Sequence, residues 1–332
     1  MKKVVLLFLG LLAGILPVFA QMMPDSTVQV VAYWDVGDKY LYQKESVKYN
    51  IAEGDTTVVE KTAELLEFEV VSADEEKGYR VKVTSRDIQI SDPTKAAIIE
   101  KMRERIGGDV YYFETSPYGE FQQVLPIEGL EGQTDAVVED IVDAVMKKNE
   151  AGAEIKPMLL ALTRQMITPE SMVASVEAEI SPLFMYHGSR FGLKDEYPIE
   201  DTIPVPLTGG VLKMNGRFWV NEELTDDYSV VLQMYKEADE EEARQLMTSF
   251  MGGMVQVLSG VQKDGNEMPS VEEVFKEAKI EIEDFLFEEI HLDTGWPLEW
   301  HFTRRTQVEM EGKSQKQLID NTIKILFEDE QE

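Results

Sequence analysis

Along the first third of the chain, apolar and polar residues alternate with a period of two. Leu66, Phe68 and Val70 fall on one side, Glu67 and Glu69 on the other. After the turn Asp74-Glu75-Glu76-Lys77-Gly78, Tyr79, Val81 and Val83 alternate with Arg80, Lys82 and Thr84. Such alternation marks a sheet wetted on one face, and connections this short make neighbouring strands antiparallel. The pattern predicts strands over 27–34, 39–52, 57–72 and from 79 onward, arranged as a meander. A hairpin follows, 110–115 with 121–125, around Pro117-Tyr118-Gly119. Strands return over 197–206, 211–220, 228–238, 280–292, 296–310 and 315–327, about twelve in all.

Between these blocks the period becomes helical. Asp92-Pro93 supplies an N-cap residue and a proline at the first helical position. Ile98, Ile99, Met102 and Ile106 then share a face, and Gly107-Gly108 ends the helix. Amphipathic segments follow over 134–148, with Val138, Ile141, Val142 and Val145, and over 154–167, with Ile155, Met158, Leu159 and Leu162. Thr168-Pro169 opens another, through Met172, Val176 and Ile180. A long helix over 240–261 carries Leu246, Met247, Phe250, Met251, Met254, Val255 and Leu258, and Ser270 with Glu273 caps a short one to about Lys279. Six apolar helix faces need a surface to cover, and a large antiparallel sheet of long strands coils. The fold expected is therefore α+β: a coiled antiparallel sheet forming a half-barrel, with helices covering one face, in a single domain over 21–332.

Composition adds an address and several exclusions. Met1 to Ala20 reads as a signal peptide: Lys2 and Lys3, an apolar run from Val4 to about Phe19, and Val18 and Ala20 at the small-residue positions of a cleavage site. The run falls short of the roughly 20 apolar residues that span a bilayer, and no later stretch approaches that length. The expected product is periplasmic or secreted, with no membrane span after cleavage. The net charge of −31, from 63 acidic against 32 basic residues, argues against a nucleic-acid partner. With no cysteine there is no disulfide, thiolate nucleophile, thiolate metal site or lipidation site.

Few strings carry chemistry. Asp293-Thr294-Gly295 matches the core of the aspartic-protease signature, in which two such aspartates share a proton. The string reads instead as a three-residue hairpin loop with glycine in the left-handed position, which accounts for all three residues and their flanks. That register pairs Leu292 with Trp296, Ile290 with Leu298 and Leu286 with Phe302, and no second copy of the string is present. The same register sets His291 opposite Pro297 and His301 opposite Phe287, roughly 13 Å apart along the strand and too far to share a metal ion. Glu289 and Glu299 would face each other between them, a repulsive pair unless a cation such as Arg305 intervenes. His187, beside Gly188-Ser189, fits no catalytic triad and reads as a loop histidine. Asp264-Gly265-Asn266 lacks the ligand order of a calcium loop. No residue is assigned a catalytic or metal-ligating role, and no cofactor is implied.

The methionine-rich stripe of the 240–261 helix, interrupted by Gly252-Gly253, suits an irregular core, a lid over an apolar cavity, or a groove for a partner helix. An exported chain of long antiparallel strands with helices inserted between two strand-rich blocks resembles the periplasmic lipoprotein-carrier and lipoprotein-receptor fold. It also resembles uncharacterised secreted proteins of Gram-negative bacteria with a late Tyr-x-x-x-Asp-x-Ile stretch, here Tyr197 to Ile203, and a terminal hairpin, here Phe285 to Met310. The resemblance implies a non-enzymatic envelope protein that shelters an apolar small molecule or lipid, such as an acyl chain, between sheet and helices. Candidate ligand-binding residues are Phe250, Met251, Met254, Leu258, Trp300 and Phe302. The alternatives are an envelope protein–protein interaction or assembly module without internal ligand, and a carboxylate-based hydrolase.

Overall fold

The computed structural model describes residues 26–52, 55–106, 109–148, 153–205, 210–259, 278–310 and 312–327. The signal peptide, the Asp264 loop and the short helix expected near 270–279 lie outside them. The strands are β1 (Thr27–Gln29), β2 (Lys39–Ala52), β3 (Asp55–Asp74), β4 (Gly78–Ile90), β5 (Val110–Thr115), β6 (Phe121–Val124), β7 (Arg190–Gly192), β8 (Glu196–Val205), β9 (Gly210–Val220), β10 (Ser229–Ala238), β11 (Lys279–His291), β12 (Pro297–Met310) and β13 (Lys313–Leu326). The helices are α1 (Pro93–Ile106), α2 (Leu130–Lys148), α3 (Lys156–Met166), α4 (Pro169–Ile180) and α5 (Glu240–Ser259).

Eleven strands form one antiparallel sheet in the order β6-β5-β4-β3-β2-β13-β12-β11-β10-β9-β8. The sheet is not closed: β6 and β8 each pair on one side only. The last strand runs between the first long strand and β12, so two consecutive meanders meet along the β13–β2 ladder. Bulges place an extra residue on β3 opposite Lys48/Tyr49, on β4 opposite Ala63–Leu65 and on β12 opposite Glu289/Ile290.

The period-two reading holds clearly in β11 and β9, whereas β10 opens with four consecutive buried residues, Ser229 to Leu232. In β11, Ile280, Leu286 and Ile290 are buried while Phe285, Phe287 and Glu289 on the other parity are half-exposed. The first predicted strand is different. Only Thr27–Gln29 pairs as a strand, with β7, which the pattern did not predict. Val30, Ala32 and Tyr33 bond instead to loop carbonyls of Ser189, Tyr118 and Thr294. The alternation there is real, since Val28, Val30, Ala32 and Trp34 are buried, but the segment threads among loops rather than entering the meander.

The helix starts of α1 and α4 carry side-chain caps. Asp92 Oδ1 accepts from the backbone N–H groups of Thr94 and Lys95, at 2.8 and 3.1 Å. Thr168 and Ser171 form a reciprocal capping box at the start of α4. The ends of α1 and α2 are tied by Lys148 to Asp92 (2.7 Å) and by Lys101 and Arg105 to Asp140.

The main core is aromatic at one end. Trp34 stacks on Trp296 at 4.5 Å between ring centroids, with Phe184, Phe68 and Tyr40 packed round them. Asp293-Thr294-Gly295 serves this core as a turn. Gly295 adopts φ +73°, and a Cβ there would collide with the Val31 carbonyl. The predicted pairs Leu286–Phe302, Phe287–His301 and Glu289–Glu299 are observed. The bulge then shifts the ladder by one, so Ile290 meets Pro297 rather than Leu298. Lys324, at 3.5 Å from Glu299, is the cation beside the facing glutamates, whereas Arg305 pairs with Glu283. His187 follows a short 3₁₀ turn (Ser181–Phe184) and lies inside the core, where its Nε2–H donates to the Gly295 carbonyl at 2.6 Å. Burial pushes its pKa down to about 4, against the opposing pull of the Gly295 and Phe184 carbonyls.

Candidate functional site

Residues of one parity along β2 run Tyr40, Tyr42, Lys44, Ser46, and the matching parity of β3 runs Phe68, Leu66, Glu64, Thr62. Both sequences begin apolar and turn polar halfway. Across the sheet this makes two rungs, Trp300–Ile323–Lys44–Glu64 and Phe302–Asn321–Ser46–Thr62. These rungs, Phe302 excepted, floor a cleft of about 850 Å³. Its walls come from α1 through Ile99, Met102 and Ile106, from α2 through Leu130 and Ile141, and from α4 through Met172, Val176 and Glu179. Ile127 and Leu130 also border a second hollow of about 740 Å³, walled by Val124, Pro169 and Val173. Volumes of this size match small-molecule sites, which run to roughly 300–1,000 Å³.

The floor has a charged centre. Lys44 Nζ bonds Glu64 Oε1 at 2.7 Å and also contacts Glu179 Oε1. Ser85 Oγ donates to Glu64 Oε2 at 2.5 Å. Burial works against the Lys44 ammonium, but Glu179 and Glu64 together outweigh it and hold its pKa above the usual lysine value. Tyr111 also faces the cleft; desolvation pushes its phenol well above the ordinary range, and Glu179 and Glu64 add to that. The other lining cations, Lys95 and Arg103, are each closed on a carboxylate, Glu60 and Asp109.

Behind Trp300 lies a second polar feature. Glu288 is its cross-strand partner, fully buried, and neither carboxyl oxygen has a hydrogen-bond partner among the described residues. Desolvation raises its pKa well above the usual carboxylate value. The buried Tyr186 hydroxyl and the Trp300 indole N–H are likewise unpartnered. Further along the same strand, Asp284 is buried and receives a bidentate pair from Arg304, at 2.7 and 2.8 Å. Beside it Lys236 bonds Asp201, the aspartate of the Tyr-x-x-x-Asp-x-Ile stretch, at 2.6 Å.

Of the residues expected to bind ligand, Trp300 lines the cleft. Phe302 sits next to it on β12, ring centroids 6.0 Å apart, with the Arg304 guanidinium over its own ring. Phe250 and Met251 are half-buried on α5, which packs on β9 and β11, and none of its described side chains lines the cleft. There Leu246 and Met247 join a smaller core with Leu212, Met214, Ala243 and Ile280. The side chains of Met254 and Leu258 lie outside the described residues. Lys44, Glu64, Ser85 and Glu179 were missed from the sequence, though one signal was available: a lysine and a glutamate on the inward parity of otherwise apolar strands. Among the described residues, no three His, Asp or Glu side chains are grouped as metal ligands. No helix among them is long and apolar enough to cross a membrane. No protein-family model matches the chain, and no curated protein matches it in sequence.

Proposed function

We propose that this chain is a non-enzymatic binding protein of the cell envelope that shelters an apolar ligand, such as an acyl chain, in the cleft between the sheet and α1–α4. One observation carries the reading. Ile99, Met102 and Ile106 make an apolar face on α1, yet no residue of that helix is fully buried, because the face borders the cleft instead of packed side chains. Apolar surface left against water costs about 25 cal/mol per Å², so such a wall is better explained by an occupant than by scaffolding alone. In this reading the open sheet coils into a half-barrel and the helices cover its inner face. Support comes from the shared parity of the cleft floor and of Leu212, Met214 and Ile280 beneath α5.

The hydrolase alternative has two converging carboxylates in its favour, Glu64 and Glu179. Lys44 engages both, and Glu288, whose pKa burial raises well above the usual carboxylate value, does not line the cleft. Acid–base work needs a proton donor and a base around one reacting atom, and these groups do not make that arrangement. The reading is tested by exporting the full chain to a bacterial periplasm and comparing native with denatured mass. Extra native mass that disappears on denaturation is expected, and Ala178→Trp, which fills the cleft, should abolish it. Native mass equal to the bare chain, with no lipid extracted, would count against a sheltered ligand.

A further inference from the structure

The chemistry of the cleft floor says more than that the ligand is greasy. Lys44 is the only cation at the centre of the floor among the described residues, and it faces two carboxylates, Glu64 and Glu179. Glu64 accepts on both oxygens, from Lys44 and from Ser85. Glu179 receives Lys44 on Oε1 alone, which leaves acceptor capacity directed at the cleft. On the neighbouring rung Ser46, Thr62 and Asn321 add neutral groups that both donate and accept. The floor therefore offers surplus carboxylate oxygen, neutral hydroxyl and amide groups that both donate and accept, and no spare cation.

We propose that the occupant is a single-chain amphiphile whose head is uncharged and both donates and accepts hydrogen bonds, an amide or hydroxyl, and is not a fatty-acid anion. This rests on the binding reading above. A carboxylate head would meet two carboxylates against one ammonium, and would approach a chain of net charge −31. An amide of the same shape places its N–H groups toward Glu179 and its carbonyl toward a donor such as the Ser46 or Thr62 hydroxyl. A site whose buried groups are already set for one hydrogen-bonding pattern rejects the isostere that leaves them unpaired.

The test uses an isosteric pair, dodecanamide and dodecanoate, titrated below their micelle concentrations against the full chain after delipidation, with binding read by calorimetry. The amide is expected to bind at least tenfold more tightly. Glu179→Gln, a substitution at a partly exposed helical position, should narrow that ratio severalfold with unchanged circular dichroism. Glu75→Gln in the exposed β3–β4 turn removes the same charge far from the cleft and should leave the ratio alone. Equal or tighter binding of dodecanoate would overturn the proposal while leaving the cleft reading intact. So would a ratio that moves equally in both variants, since the preference would then be long-range repulsion. Binding of neither probe would instead sink the cleft reading itself.

Discussion

Glu288 is buried on a central strand with no partner for either oxygen, and desolvation raises its pKa well above the 4.5 of a free glutamate. The folded protein therefore keeps this proton where the unfolded chain releases it. Its contribution to stability is complete below about pH 4.5 and is eroded as pH rises from there through the folded pKa, by about 1.4 kcal/mol per pH unit. Glu288→Gln keeps the shape and removes the ionisation. The unfolding free energy of that variant minus that of the wild type should be near zero at pH 4 and grow in the variant's favour as pH rises. His187 titrates in the opposite sense. Its folded pKa of about 4 lies below the ordinary 6.5, so its contribution is present above pH 6.5 and is lost as pH falls through 4. Both proteins share that limb, and the subtraction cancels it. Denaturant titrations from pH 4 to 8 give the curve, and a flat difference would mean that Glu288 has found a partner in solution.

At the scale of elements, α4 joins a capped helix start to the cleft wall. Its capping box, Thr168 with Ser171, satisfies N–H groups at the start of the helix that carries Met172, Val176 and Glu179 to the cleft wall. Thr168→Ala should cost about 1 kcal/mol of stability. It should also weaken uptake of an apolar probe such as Nile red, because fraying moves the wall; loss of stability with unchanged uptake would place α4 outside the binding site. The cap was legible in the sequence, as were most strands, because one parity is wet and the other is not. Alternation could not show what a segment pairs with, so Val30 and Ala32 read as strand but bond to loops. Helical periodicity likewise identified the faces of Ile99 and Met102 on α1 and of Leu246 and Met247 on α5. It could not show that the first borders a cleft while the second closes a small core. That distinction depends on which strands lie opposite, and the floor joins Lys44 to Ile323, residues at opposite ends of the chain.

The whole sheet turns on the ladder between β13 and β2, which is registered from Leu326–Leu41 to Gln315–Ala52. One meander, β2 to β6, lies on one side and β8 to β12 on the other. Separation of the two would expose a full row of backbone donors and acceptors together with the buried side chains of Ile323, Ile325 and Tyr42. The cleft crosses the same seam, with Lys44 and Glu64 on one side and Trp300, Asn321 and Ile323 on the other. An occupant of the cleft would touch both meanders at once. Heating the full chain should give one calorimetric transition, with van't Hoff and calorimetric enthalpies equal. A ligand at a hundredfold excess over its Kd should raise that single transition by the equivalent of about 2.7 kcal/mol. Two resolved transitions would show that the seam opens before either meander melts. If the ligand then shifted only one of them, it would be held by one meander and not across the seam.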